Sequence, residues 1–128
     1  MKHAFSLLVA DSNAFVRAFL QRELSADGYQ VEPAEKAREI FDHLRSGSPP
    51  DLIIMDLDMP LTVGFEVLRR LYNLLPRVPV VIYTNYMEYE HHEKVQWVDA
   101  FVEKSGNPTA LKEAVATVLC SYDAHCMD

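Results

Sequence analysis

The chain reads as an α/β domain, a doubly wound parallel sheet of five strands built from five βα repeats. Three observations point there. Short apolar runs alternate five times with stretches whose apolar residues recur at helical spacing. The connections between them are short. A length of 128 residues suits one domain with one core. The domain is expected over residues 1–122, with 123–128 as a tail.

Each element follows from its residues. "FSLLVA" (5–10) has the continuous apolar character of a strand covered on both faces. In the next stretch Val16, Phe19, Leu20 and Leu24 recur on one helical face, with Asp11 or Ser12 as the cap. Asp27-Gly28 stops that helix. "YQVE" (29–32) is a brief second strand, and Ala37, Ile40, Phe41 and Leu44 mark a second helix. "SPPDLIIMD" enters the third strand through two prolines. Gly64 to Leu75 forms a third helix with Phe65, Leu68, Leu71 and Leu75 inward. "VPVVIYT" (78–84) is the most β-branched run and reads as a central strand. Residues 86–96 are polar and weakly amphipathic, and stand for a fourth helix. "VDAFVEK" (98–104) is the fifth strand. In "NPTALKEAVATVLC", Asn107 caps a last helix, Pro108 takes its first position, and Leu111, Ala114, Val115, Val118 and Leu119 face in.

Composition narrows the function. With 19 acidic residues against 12 Lys plus Arg, the net charge is −7. That field does not attract nucleic acid and favours basic or metal-bearing partners. No apolar stretch approaches the roughly 18–20 residues that span a bilayer. The N-terminal apolar run ends at Asp11, too soon for a secretory leader, so a cytoplasmic setting is expected. Cys120 and Cys126 are then expected as free thiols. The five histidines show no ligand spacing.

Ligands of such sheets bind at the carboxyl ends of the strands. Asp11 and Ser12 follow the first strand, Asp56 to Asp58 the third, Thr84 the fourth, and Lys104 ends the fifth. An acid after a strand is often only a turn residue. Four such residues at successive strand ends suggest one pocket. Two close carboxylates repel unless a cation lies between them. Mg2+ suits that need, with Asp11, Asp56 and the Asp58 carbonyl as its ligands. A carboxylate beside a cation and a lysine can attack a phosphoryl group.

With those residues placed, the chain resembles the receiver domain of two-component response regulators from about Phe5 to Leu119. "LLVADSNAFVR" is similar to the family's first strand and acidic turn, including an arginine six residues after the first acid. "PDLIIMDLDMP" followed by Gly64 is similar to the phosphoacceptor strand and its Met-Pro loop. "PVVIYT" is similar to the strand that ends in the switch hydroxyl, and "DAFVEK" to the last strand. The resemblance implies a flavodoxin-like sheet of order 2-1-3-4-5. It implies Asp56 as phosphoacceptor, phosphorylated by a histidine kinase or phosphotransfer protein. Asp11, Asp56 and Asp58 become the Mg2+ site, Lys104 the phosphoryl partner, and Thr84 with Phe101 the switch pair. The output face becomes the fourth helix, fifth strand and last helix, open to a downstream protein, a separate output domain or a second copy of the chain.

Three pocket positions depart from that pattern. Ser12 stands where a second acid is usual, so Mg2+ is expected to bind weakly. Asn85 replaces a small residue beside Thr84, where it can crowd the site or bond to it. Ser105 replaces the proline that usually follows the lysine. Outside the pocket, Trp97-Val98 replace a small pair before the fifth strand, as core or as a partner anchor.

Two functions of different class compete. One is a phosphoacceptor switch that catalyses at most its own phosphorylation and dephosphorylation. The other is a pseudo-receiver, an interaction module with impaired phosphorylation. A flavin or nucleotide binder would want a Gly- or Ser/Thr-rich loop after the first strand, and "DSNAFVR" has none.

Overall fold

The computed structural model describes residues 4–59, 62–74 and 76–122. In chain order it has β1 (Ser6–Ala10), α1 (Ala14–Ala26), β2 (Gln30–Ala34), α2 (Ala37–Leu44), β3 (Leu52–Met55), β4 (Asp58–Met59), β5 (Thr62–Val63), α3 (Gly64–Tyr72), β6 (Val80–Thr84), β7 (Ala100–Glu103) and α4 (Thr109–Tyr122). Five strands pair in the order β2-β1-β3-β6-β7, all parallel. Counting only those five, the order is the expected 2-1-3-4-5.

Side-chain alternation explains the two layers. Leu8, Ala10, Ile53, Met55, Val80 and Ile82 face a core shared with Ala37, Ile40, Phe41, Val67, Leu68 and Leu71, so α2 and α3 cover that side. Leu7, Val9, Leu52, Ile54, Val81 and Tyr83 meet Leu20, Leu24, Leu111, Val115, Val118 and Leu119, so α1 and α4 cover the other. The central strands β3 and β6 are buried throughout, as their unbroken apolar runs require. Pro33 is tolerated in β2 because β2 is an edge. Lys112 of α4 ties the helices of its layer by pairing with Glu23 and Asp27 at 3.3 and 3.4 Å.

Three expectations are corrected and one element is added. Residues 86–96 form no α-helix; they make two single 3-10 turns, Met87–Tyr89 and Glu93–Val95. Only Val95 of these turns is buried, so no continuous apolar stripe rewards a regular helix. Aromatic contacts hold the segment instead: His92 stacks on Phe65 at 4.8 Å, and Tyr89 meets the same ring edge-on at 5.2 Å. The cap of α1 is Asn13, whose Oδ1 accepts from the Phe15 and Val16 amides at 2.8 and 3.3 Å. The first turn therefore starts later than Asp11 or Ser12 would allow. A two-stranded antiparallel ladder, β4 with β5, follows the third strand and has no clear sequence period at two residues a strand. Cys120 is disulfide-bonded, not a free thiol. Leu75, Cys126 and the 123–128 tail lie outside the described residues.

Candidate functional site

Strand register brings the carboxyl ends level. Ala10 pairs with Met55, Met55 with Ile82, and Thr84 with Glu103. The residue after each strand therefore emerges at one rim. Backbone bonds continue the ladder past the strands: the Asp56 amide donates to the Ala10 carbonyl at 3.2 Å and the Lys104 amide to the Thr84 carbonyl at 2.9 Å.

Asp11, Asp56 and Thr84 are the buried polar residues of the described chain, at 3%, 6% and 0% exposure. Lys104 joins them. Its Nζ lies 2.8 Å from Asp11 Oδ2 and 2.5 Å from Asp56 Oδ2. The Thr84 hydroxyl donates to Asp56 Oδ1 at 2.7 Å, and the Asp58 amide donates to the same oxygen at 3.1 Å. Asp11 Oδ1 accepts from the Asn13 amide at 2.9 Å, and Arg17 holds the Asp11 carbonyl at 2.7 Å. Burying one carboxylate costs several kcal/mol unless it is paired. Here one ammonium serves two. Burial pulls the Lys104 titration down, but its bonds to Asp11 and Asp56 outweigh that and leave it above the usual lysine range. The ammonium is held charged.

The remaining candidates divide. Asp58 is at the mouth, with its side chain exposed and turned to Tyr86, whose hydroxyl donates to Asp58 Oδ2 at 3.2 Å. The Asp58 charge, then that bond, raises the Tyr86 phenol above its ordinary value, so the phenol stays a donor. The Tyr86 amide also donates to the Thr84 hydroxyl at 3.2 Å. Phe101 is half-buried opposite Ile82 and packs against the α2–α3 core, on the sheet face that Thr84 shares. Ser12 is half-buried and its hydroxyl makes no hydrogen bond among the described residues. Asn85 is exposed and neither fills the site nor bonds to its carboxylates; it lines an adjoining groove of about 400 Å³ with Asn13, Phe15, Tyr83, Lys104 and Ser105. Phe15, 87% exposed, is an open apolar ring in that groove. Trp97 is half-buried against the core with Arg77 over its ring at 5.2 Å, so it packs as core.

Two contacts beside the site escaped sequence reasoning. Tyr86 carries no motif signal, since its reach to Asp58 depends on the turn that replaces the fourth helix. Tyr83 looks like any inward strand aromatic, yet its hydroxyl bonds the backbone of Ser105.

The described geometry has known counterparts. The model of the response regulator receiver domain matches residues 7–116. Response regulator MprA of Mycolicibacterium vanbaalenii is 35% identical over 111 residues, which are 86% of this chain and 47% of that protein. MprA of Mycobacterium avium is 34% identical over the same coverage. The chain thus spans about half the length of these curated relatives. Among solved structures, response regulator TrrA of Thermotoga maritima in complex with Mg2+-BeF aligns with a TM-score of 0.82 and 31% identity, covering 89% of this chain and 98% of that one. TrrA in complex with histidine kinase ThkA aligns with a TM-score of 0.82 and 31% identity, over 90% and 98% of the two chains. A receiver domain protein of Methanospirillum hungatei shares the fold at a TM-score of 0.84 and 24% identity. With a family model covering most of the chain and this sheet carrying acid, hydroxyl and lysine at one rim, the chain belongs to the response regulator receiver domain family.

Proposed function

We propose that the chain is a phosphoacceptor switch in which Asp56 takes a phosphoryl group from a phosphohistidine of a histidine kinase or phosphotransfer protein. The observation that carries this reading is the shared ammonium: Lys104 bridges two buried carboxylates beside a buried hydroxyl. A scaffold has no need of that costly arrangement. In the transfer, an Asp56 oxygen bonds to phosphorus while the P–N bond breaks, and the imidazole leaves with the electron pair. Water later attacks phosphorus, releasing inorganic phosphate and restoring the carboxylate. Lys104 and the Thr84 hydroxyl neutralise charge on the phosphoryl oxygens, the dominant contribution in such transfers.

The residues fit a hard divalent cation held by few protein ligands. Asp11 and Asp56 already converge on one cationic atom. Among the described residues no third His, Cys, Asp or Glu completes a cluster with them. Asp11, Asp56 and the Asp58 carbonyl would hold Mg2+, with water filling the rest. The ion supplies charge neutralisation between the carboxylates and the phosphoryl oxygens. Ser12 adds no charge, so affinity is low. Ser12→Asp should tighten Mg2+ binding about tenfold by titration, a single close charge being worth that much; equal affinities would refute the role of this position.

TrrA with Mg2+-BeF and TrrA with its kinase support both halves of the reading. The exposed Phe15 beside the groove offers the incoming donor an apolar contact. Signal would leave through Thr84 and Phe101 to the face formed by residues 86–96, β7 and α4, where a downstream partner, an output domain or a second copy reads it. The pseudo-receiver reading would leave Asp56, Thr84 and Lys104 free to drift, and all three are held together here. Acetyl phosphate with Mg2+ should add one phosphoryl group to the wild type, read by mass, and none to Asp56→Asn. Equal mass gain in both would move the function elsewhere.

A further inference from the structure

The loop after β7 must place Lys104 without the proline that family members usually carry next to it. β7 ends at Glu103, so Lys104 lies just past the strand. Its amide is held by the Thr84 carbonyl at 2.9 Å. The next residue is held by the neighbour of Thr84. The Tyr83 hydroxyl donates to the Ser105 carbonyl at 3.0 Å and accepts from the Ser105 amide at 3.3 Å. One phenol thus satisfies both backbone groups of one loop residue. A proline there would have no N–H to give. Tyr83 is 4% exposed and its ring is fixed in the α1–α4 core, so the hydroxyl is a rigid anchor. Beyond it, Ser105 Oγ accepts from the Asn107 amide at 2.9 Å, and Asn107 Oδ1 accepts from the Thr109 amide at 2.9 Å as α4 begins.

We propose that Tyr83 is a positioning residue for Lys104: its hydroxyl clamps Ser105 and thereby holds the ammonium against Asp11 and Asp56. This role rests on the reading of Asp56 as phosphoacceptor. A lysine side chain is long and flexible, so its Nζ is only as well placed as its main chain. Tyr83 and Thr84 then work as a pair on opposite faces of β6. Thr84 sets the Asp56 oxygen, and Tyr83 sets the cation that faces it.

The test is a double-mutant cycle with Tyr83→Phe and Lys104→Met. Tyr83→Phe keeps the ring and removes both bonds. The readouts are the rate of phosphoryl incorporation from acetyl phosphate, the Mg2+ affinity, and hydrogen exchange of the Ser105 amide. Tyr83→Phe should lower the rate roughly tenfold, as a misplaced catalytic group does. It should raise Mg2+ affinity, because a looser ammonium competes less for Asp11 and Asp56, and it should speed Ser105 exchange. In the Lys104→Met background the same change should cost nothing further. Equal rates in wild type and Tyr83→Phe, or an undiminished loss without Lys104, would overturn the role. So would a Tyr83→Phe chain that fails to fold, since the hydroxyl would then serve the core. A wild type that takes up no phosphoryl group would instead overturn the phosphoacceptor reading beneath it.

Discussion

Lys104 carries more of the site than any other single side chain, because two buried carboxylates depend on it. Removing one partner of a buried ion pair typically costs about 3–5 kcal/mol. Lys104→Met should lose stability on that order in urea unfolding, and Mg2+ should restore more of it than it adds to wild type. The pH dependence follows from the raised Lys104 titration. A folded value above the unfolded one contributes stability that is fully present below the ordinary lysine value, about 10.4. It is lost as pH rises through the folded value. The gap between wild type and Lys104→Met should therefore be constant from neutral pH upward and close only above that range. At this scale the sequence was most legible where chemistry demands a residue type: Asp11, Asp56, Thr84 and Lys104 meet as their strand ends suggested. It was least legible where a side chain reaches across a loop. The bonds of Tyr83 to Ser105 and of Tyr86 to Asp58 need coordinates, since aromatic residues at those positions read equally well as core or surface.

At the scale of elements, strands and long helices were readable because their apolar periods are strong. Leu20, Leu24, Ile40, Leu68, Leu111 and Val115 are buried where helical spacing put them. The segment 86–96 lacks such a period, and it settled into two turns tied to Phe65. The start of α1 shows a finer limit. Three consecutive residues, Asp11, Ser12 and Asn13, can all cap, and only the backbone path decides. Asn13 bonds two amides of the first turn, while Asp11 is turned to Lys104. Asn13→Ala should cost about 1 kcal/mol, the usual worth of a cap. Ser12→Ala should cost nothing measurable in the same denaturation assay. The reverse ranking would return the cap to Ser12.

Across the whole molecule, the parallel sheet turns sequence distance into proximity. Asp11 and Lys104 are far apart in the chain, yet level register at the β1, β3, β6 and β7 ends leaves them in contact. The three positions at which the sequence departs from the resembled pattern are handled locally. Ser12 makes no side-chain hydrogen bond among the described residues, Asn85 is exposed along the groove, and Ser105 is clamped by Tyr83. One rim of this sheet is proposed to receive a phosphoryl group on Asp56. Titration of the uniformly labelled chain with Mg2+ and beryllofluoride, followed by amide NMR shifts, tests it most directly. The largest shifts are expected at Asp56, Asp58, Thr84, Lys104 and Ser105, all abolished by Asp56→Asn. Shifts centred on another surface, or none at saturating beryllofluoride, would contradict it.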